Sequence, residues 1–349
     1  MRIHTADVLR VIAFLFLTSH GSTISPDCKT SEERPKNTGK GSAPATTSER
    51  VVCTNMDLDQ VLPSDSFPNR TVTLILNSNK IQELKNGSFL GLSALERLDI
   101  RSNIISHIEP GAFSGLLALK RLDLSNNTIG CLNGDTFKGL SSLVRLNLSA
   151  NVFSSLSQGT FDSLVSLKTL EFQTQYLLCD CNLRWLLLWI KERNVAVKDT
   201  RCSYPRSLQG QLVTSVKPEV LTCDAPLELP SFQMTPSQRQ IVFRGDSLPF
   251  QCMASYIDED MQVLWYQDGR MVEPDAAQGI AIEKSMVQNC SLIASALTIS
   301  NIQPGSTGNW ECRVRTSRGN NTRTVHIVVL ESSAKYCPPD RVSNNKGEF

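Results

Sequence analysis

Histidine is nearly absent from this chain: of 349 residues, only His4, His20, His107 and His326 carry an imidazole. No P-loop, nucleophile elbow or zincin pattern occurs either. An enzyme is therefore the least supported class, and no cofactor is expected. A surplus of one charge is also missing. The 35 Lys and Arg face 34 Asp and Glu, leaving a net charge of +1. That balance argues against nucleic acid or an anionic membrane as the main partner. Past the N-terminus, no apolar run reaches the ~18–20 residues that a membrane span needs. Residues 183–190 come nearest, and Arg184 interrupts them. As given, the chain is not expected to cross a membrane.

Cysteine, by contrast, is plentiful, with 11 residues. Disulfides persist in oxidising, extracytoplasmic compartments. The N-terminus agrees. Arg2 and Arg10 bracket a basic start, residues 11–17 are apolar, and Ser19-His20-Gly21 leads to a cleavage point before Ser22. Residues 1–21 therefore read as a secretory signal. Asp7 and Arg10 crowd its apolar core, which leaves an altered first exon as the competing reading. N-x-[ST] sequons begin at Asn69, Asn86, Asn126, Asn147, Asn289 and Asn320. Together with a signal and paired cysteines they point to a glycosylated extracellular chain.

A period of 24 organises the first half. Leu74, Leu98, Leu122, Leu146 and Leu170 recur at that interval, and Leu76, Ile100, Leu124, Leu148 and Phe172 follow two positions later. Asn79, Asn103, Asn127 and Asn151 come next, with Gln175 closing the series, and Phe89, Phe113, Phe137 and Phe161 make a further row. This is the L-x-x-L-x-L-x-x-N-x-L pattern of leucine-rich repeats, five times over residues 71–175. One repeat cannot bury its own apolar face, so five stack into a solenoid of short parallel strands. The Phe row sits in three Phe-x-Gly-Leu segments and, at Phe161, a Phe-x-Ser-Leu segment, and reads as the lining of the convex side. A ligand-binding aromatic stripe is the less favoured alternative.

Strand side chains alternate between the core and the concave face. With Leu98 and Ile100 inward, Arg97, Asp99 and Arg101 face out. The same register brings out Arg121 and Asp123, then Arg145 and Asn147, then Thr169 and Glu171. Parallel strands lie ~4.8 Å apart, so Arg97, Arg121 and Arg145 form one lateral row, with Asp99, Asp123, Asn147 and Glu171 beside it. Stacked like charges are unfavourable, and the acidic row offers counter-charge. Two readings stand. The face is either self-neutralised and solvated, or a recognition surface in which Arg97, Asp99, Arg121, Asp123, Arg145 and Glu171 meet a partner.

The flanks fit the same plan. Residues 22–50 are rich in Ser, Thr, Lys, Pro and Gly and read as a loop. Cys28 and Cys53 border it, and their pairing is the simplest way to close an N-terminal cap within residues 22–70. After the repeats, Cys179-Asp180-Cys181 opens a short helix whose Leu183, Leu186, Leu187 and Ile190 share one face. No histidine lies nearby, so zinc is disfavoured. Residues 176–224 resemble the C-terminal cap of extracellular leucine-rich repeats, which implies the pairs Cys179–Cys202 and Cys181–Cys223. From residue 230 to 331 the pattern turns to strand alternation. Cys252, Trp265 and Cys312 form the disulfide-and-tryptophan pin of an immunoglobulin-like all-β sandwich. Trp310 stands where such domains carry a corner tyrosine. Cys131 and Cys290 are left over. A bond between them, pairing between chains, and two unpaired thiols are the open alternatives.

The tail Cys337-Pro338-Pro339-Asp340-Arg341-Val342 looks like the opening of a hormone-receptor cysteine-rich domain, spanning 336–349 and cut short. With that module order, residues 53–349 closely resemble the ectodomain of subgroup A adhesion G-protein-coupled receptors. The resemblance implies an extracellular or cell-surface protein ligand, and roles in adhesion, Wnt co-reception and planar polarity. It also implies a plasma-membrane receptor in full length, with this region on the extracellular side. The alternative is a freestanding secreted adhesion or decoy protein of the leucine-rich/immunoglobulin type.

Overall fold

The computed structural model describes residues 28–33, 47–223, 227–287 and 291–331. The signal segment, the sequon at Asn289, Cys290 and the tail with Cys337 lie outside them. The chain divides into two compact units between Cys223 and Asp224. Among the described residues, no helix is long and apolar enough to cross a membrane.

The first unit is a leucine-rich solenoid. Its strands in chain order are β1 (Lys29–Glu33), β2 (Ser48–Val52), β3 (Thr71–Ile75), β4 (Glu83–Leu84), β5 (Arg97–Asp99), β6 (His107–Ile108), β7 (Arg121–Asp123), β8 (Arg145–Asn147), β9 (Thr169–Glu171) and β10 (Ala196–Val197). One sheet runs β1-β2-β3-β5-β7-β8-β9-β10, and β4 pairs with β6 separately. From β3 to β9 the ladder is parallel, with partners 24 residues apart: Arg97 faces Arg121, which faces Arg145, which faces Thr169. Leu74, Leu98, Leu122, Leu146 and Leu170 lie within one continuous core. β1 is a finding. Part of the stretch expected as loop is an antiparallel strand on β2, tied at its start by Cys28–Cys53. It is polar and mostly exposed, which suits an edge strand.

The turns after β3, β5, β7 and β8 each pass through a left-handed residue, Ser78, Ser102, Asn126 and Ala150, at φ between 54° and 58°. The next residue is the buried asparagine of the ladder. Asn103 donates Nδ2–H to the Leu76 and Ile100 carbonyls and accepts from the Ile81 N–H at 3.2 Å. Asn127 and Asn151 repeat that pattern one repeat further on each time. Gln175 does not continue it. Gln175 is exposed, and the adjacent Thr174 is the buried residue there. The reason is local: the cap takes over, and the Thr174 carbonyl accepts from Ser203 Oγ at 3.1 Å.

The Phe row is packing. Phe89, Phe113, Phe137 and Phe161 are buried and stacked, with centroids 6.1, 6.3 and 6.1 Å apart. The spine ends on α1 (Arg184–Arg193), whose Trp189 and Trp185 lie 5.7 and 6.2 Å from Phe161. The Cys179–Cys202 and Cys181–Cys223 disulfides hold this cap.

The second unit is a two-sheet sandwich of β11 (Phe232–Thr235), β12 (Gln240–Phe243), β13 (Leu248–Ser255), β14 (Gln262–Gln267), β15 (Arg270–Val272), β16 (Ile280–Val287), β17 (Leu292–Ile299), β18 (Gly308–Thr316) and β19 (Gly319–Leu330). The sheet orders are β11-β13-β17-β16 and β12-β19-β18-β14-β15. Cys252 on β13 bonds Cys312 on β18 across the sheets. Trp265 is buried beside them and donates Nε1–H to Ser295 Oγ at 2.9 Å.

Trp310 replaces the corner tyrosine chemically as well as positionally. Its indole is buried, stacks on Phe250 at 6.1 Å, and donates Nε1–H to the Ser306 carbonyl four residues upstream at 2.9 Å. This is the back-reaching bond that a tyrosine hydroxyl makes in related sandwiches. Trp310→Phe keeps an aromatic ring and removes the donor. We expect a loss of about 1–2 kcal/mol, from one hydrogen bond and a partly emptied site. Denaturant midpoints followed by fluorescence of the remaining tryptophans would show it, and an unchanged midpoint would contradict the role.

Candidate functional site

The concave sheet face of the solenoid gathers all six residues singled out for partner binding. Their placement follows from the 24-residue register, but their environments differ. Arg97, Arg121 and Arg145 are exposed, whereas Asp123 and Glu171 are half-buried. Asp99 faces the concave side yet is only 2% exposed. It sits between two arginines of its own segment, with Arg97 Nη2 and Arg101 Nε each 3.6 Å from its oxygens. Burial pushes the Asp99 carboxyl above its ordinary value. Arg101 pulls it back, and Asp123 on the next strand pushes it up again. A raised carboxyl titrates at higher pH folded than unfolded. Its contribution to stability is thus fullest at acid pH and falls as pH rises from the ordinary value through the raised one.

The acidic row does not neutralise the arginine row along its length. Asp123 turns onto its own strand end, accepting from Ser125 N–H at 3.0 Å and Ser125 Oγ at 2.6 Å. Asn147 is neutral and accepts from Ser149 N–H in the same way at 3.1 Å. Glu171 is taken by Lys198 of the cap at 2.8 Å. Only Arg97 therefore shares a carboxylate within its row. Among the described residues, the guanidinium groups of Arg121 and Arg145 have no hydrogen-bonded or ionic partner. Sequence reasoning did not single out Arg101 or Lys198 as partners of the acids. The outward position of Arg101 was legible, whereas Lys198 lies 27 residues from Glu171 and outside the repeat.

The sequons fall on both modules. Asn69, Asn86, Asn126 and Asn320 are exposed, and Asn147 stands half-buried on the concave strand β8. Cys131 is exposed and disulfide-bonded.

Comparison with known proteins gives two kinds of match. A family described as leucine rich repeat matches residues 69–129 and 118–173, and one described as immunoglobulin domain matches residues 230–316. Adhesion G protein-coupled receptor A3 of Danio rerio is 78% identical over 98% of this chain and 26% of its own length. The Homo sapiens protein of that name is 75% identical over 90% of the chain and 24% of its own length. Adhesion G protein-coupled receptor A2 of Mus musculus is 53% identical over 98% of the chain and 26% of its own length. The match thus extends N-terminally beyond residues 53–349. The chain spans about a quarter of the length of these relatives.

Proposed function

Over the span it covers, the chain belongs to the subgroup A adhesion G protein-coupled receptors, and from that membership we propose that it is the region through which such a receptor recognises an extracellular or cell-surface protein. The observation that supports this most is the concave face. Five short parallel strands present Arg121 and Arg145 without counter-charge, beside a structured rim of Asp99, Asp123 and Glu171. Stability gives little reason to leave such a pair unmatched, because stacked like charges repel. Binding does, since complementary charge steers encounter and sets register. The mechanism is non-catalytic. A partner docks on preformed strands, loses little conformational freedom in the receptor, and is selected by charge. Wnt co-reception and planar polarity, implied by the family resemblance, are proposals for the whole receptor.

The test is a cell-surface interaction screen with the soluble chain and its Arg121→Ala/Asp123→Ala form. Arg121 is exposed and Asp123 is half-buried with two bonds from Ser125, so melting should fall by no more than about 1–3 kcal/mol equivalent, with the fold retained. Binding should fall severalfold. Unchanged binding would move the site to the immunoglobulin unit or to a rim of the solenoid.

A further inference from the structure

Resting on that recognition reading, we propose that the Arg121–Arg145 pair is a carboxylate-binding site for an acidic segment of a protein partner. The two residues are register partners on adjacent parallel strands, β7 and β8. Their side chains therefore rise from points ~4.8 Å apart. Both are exposed, and among the described residues neither guanidinium has an acceptor. Every nearby acid is already committed: Asp99 to Arg97 and Arg101, Asp123 to Ser125, Glu171 to Lys198. The two forks carry ten N–H donors with no acceptor from the protein among the described residues, and water is displaced from them when a carboxylate binds. Arginine forks match carboxylates in bidentate fashion. Carboxylates one helical turn apart, at i and i+4, stand ~5–6 Å from each other at their Cβ atoms, close to the spacing of the pair.

A uniformly sulfated glycan is the other polyanion that two arginines could attract. The surroundings disfavour it. Asp123, whose partner is the neutral Ser125 and not a cation, stands on the same face one step over from Arg121. A polymer negative along its whole length would meet that carboxylate as it met the arginines. A protein segment can place acids over one row and neutral or basic groups over the other.

The experiment titrates three fluorescent probes into the soluble chain at low and at physiological salt. One is a helical alanine-based peptide with Glu at i and i+4. The second is the same peptide with Gln at those positions, and the third is a heparin oligosaccharide. The proteins are wild type, Arg121→Glu/Arg145→Glu, and Lys138→Glu as an exposed control on another face. Asn147→Gln is run alongside, so that a sugar on the neighbouring position of β8 cannot hide the pair. The expected result is binding of the Glu peptide to wild type or N147Q, at least tenfold weaker in the double variant and unchanged in K138E, with the Gln peptide weak throughout. Salt should weaken the Glu contact. The proposal is overturned if neither wild type nor N147Q binds the Glu peptide, if R121E/R145E binds it as well as wild type does, or if heparin binds more tightly and is the ligand lost in the double variant. The same double variant on the cell panel separates the two levels. Wild-type binding that survives charge reversal removes this inference and leaves recognition standing. No binding by wild type to any cell removes both.

Discussion

Phe137→Ala is expected to lower the stability of the leucine-rich unit by about 3–5 kcal/mol, the range for deleting a buried aromatic from a well-packed interior. Phe137 is fully buried and stands in the middle of the spine, 6.3 Å from Phe113 and 6.1 Å from Phe161. Each ring fills the space between consecutive repeats, so the alanine leaves a void that neither neighbour can close without leaving its own repeat. In a solenoid, stability is approximately a sum of repeat and interface contributions. Losing two interfaces at once should show as a melting-point drop on the order of 10 °C by circular dichroism. Phe137→Leu should recover part of it. A ligand-binding stripe would behave differently, losing binding while the melt stayed put; an unshifted melt for Phe137→Ala would therefore contradict the packing role.

The repeat itself was legible because a solenoid writes its geometry into a single period. Leucines 24 residues apart become register partners, and Phe residues 24 apart become a stack. The face of each concave residue followed from strand alternation alone. What the period does not carry is which charges meet. From one-dimensional rows, Asp123 and Glu171 looked like counter-charge for the arginines. In three dimensions short side chains take the nearest donor: Ser125, two residues on, satisfies Asp123, and Lys198, from outside the repeats, satisfies Glu171. The same limit explains Gln175. It keeps the spacing of the ladder, but the backbone around it belongs to the cap, so the position is exposed. At the C-terminal end of the spine, Trp185 keeps the 24-residue interval from Phe161, and with Trp189, which lies off that interval, it closes the stack from a helix. The altered corner of the sandwich was visible as a residue change at Trp310. That an indole N–H would reach the Ser306 carbonyl depends on the ring's pose, which alternation does not specify.

Asn127→Ala should cost about 2–4 kcal/mol, and its coupling to Asn151 should reveal how the ladder works. Asn127 is buried, and its side chain serves several backbone groups at once. Nδ2 donates to the Leu124 carbonyl at 3.0 Å and to the Ile100 carbonyl of the preceding repeat at 3.2 Å, while Oδ1 accepts from the Ile105 N–H at 3.0 Å. Alanine strands the Ile105 N–H, and an unsatisfied buried group costs about 1–3 kcal/mol. The carbonyls fare better, because each has a second donor. Ile100 is also held by Asn103 at 3.0 Å, and Leu124 by Asn151 at 3.1 Å. That sharing predicts non-additivity. With Asn151→Ala alone, Leu124 keeps Asn127. With both replaced, its carbonyl loses both asparagine donors, so the double variant should be less stable than the two single losses summed, by about 0.5–3 kcal/mol of interaction. Asn79 and Asn151 share no carbonyl, so that pair is the control and should add. The sequon at Asn126 keeps its Thr128 in every variant, so glycosylation is not a confounder. Equilibrium denaturation of the four proteins in each cycle supplies the numbers. Additive losses for Asn127 and Asn151 would mean that the two asparagines act independently, and that the shared Leu124 carbonyl does not couple them.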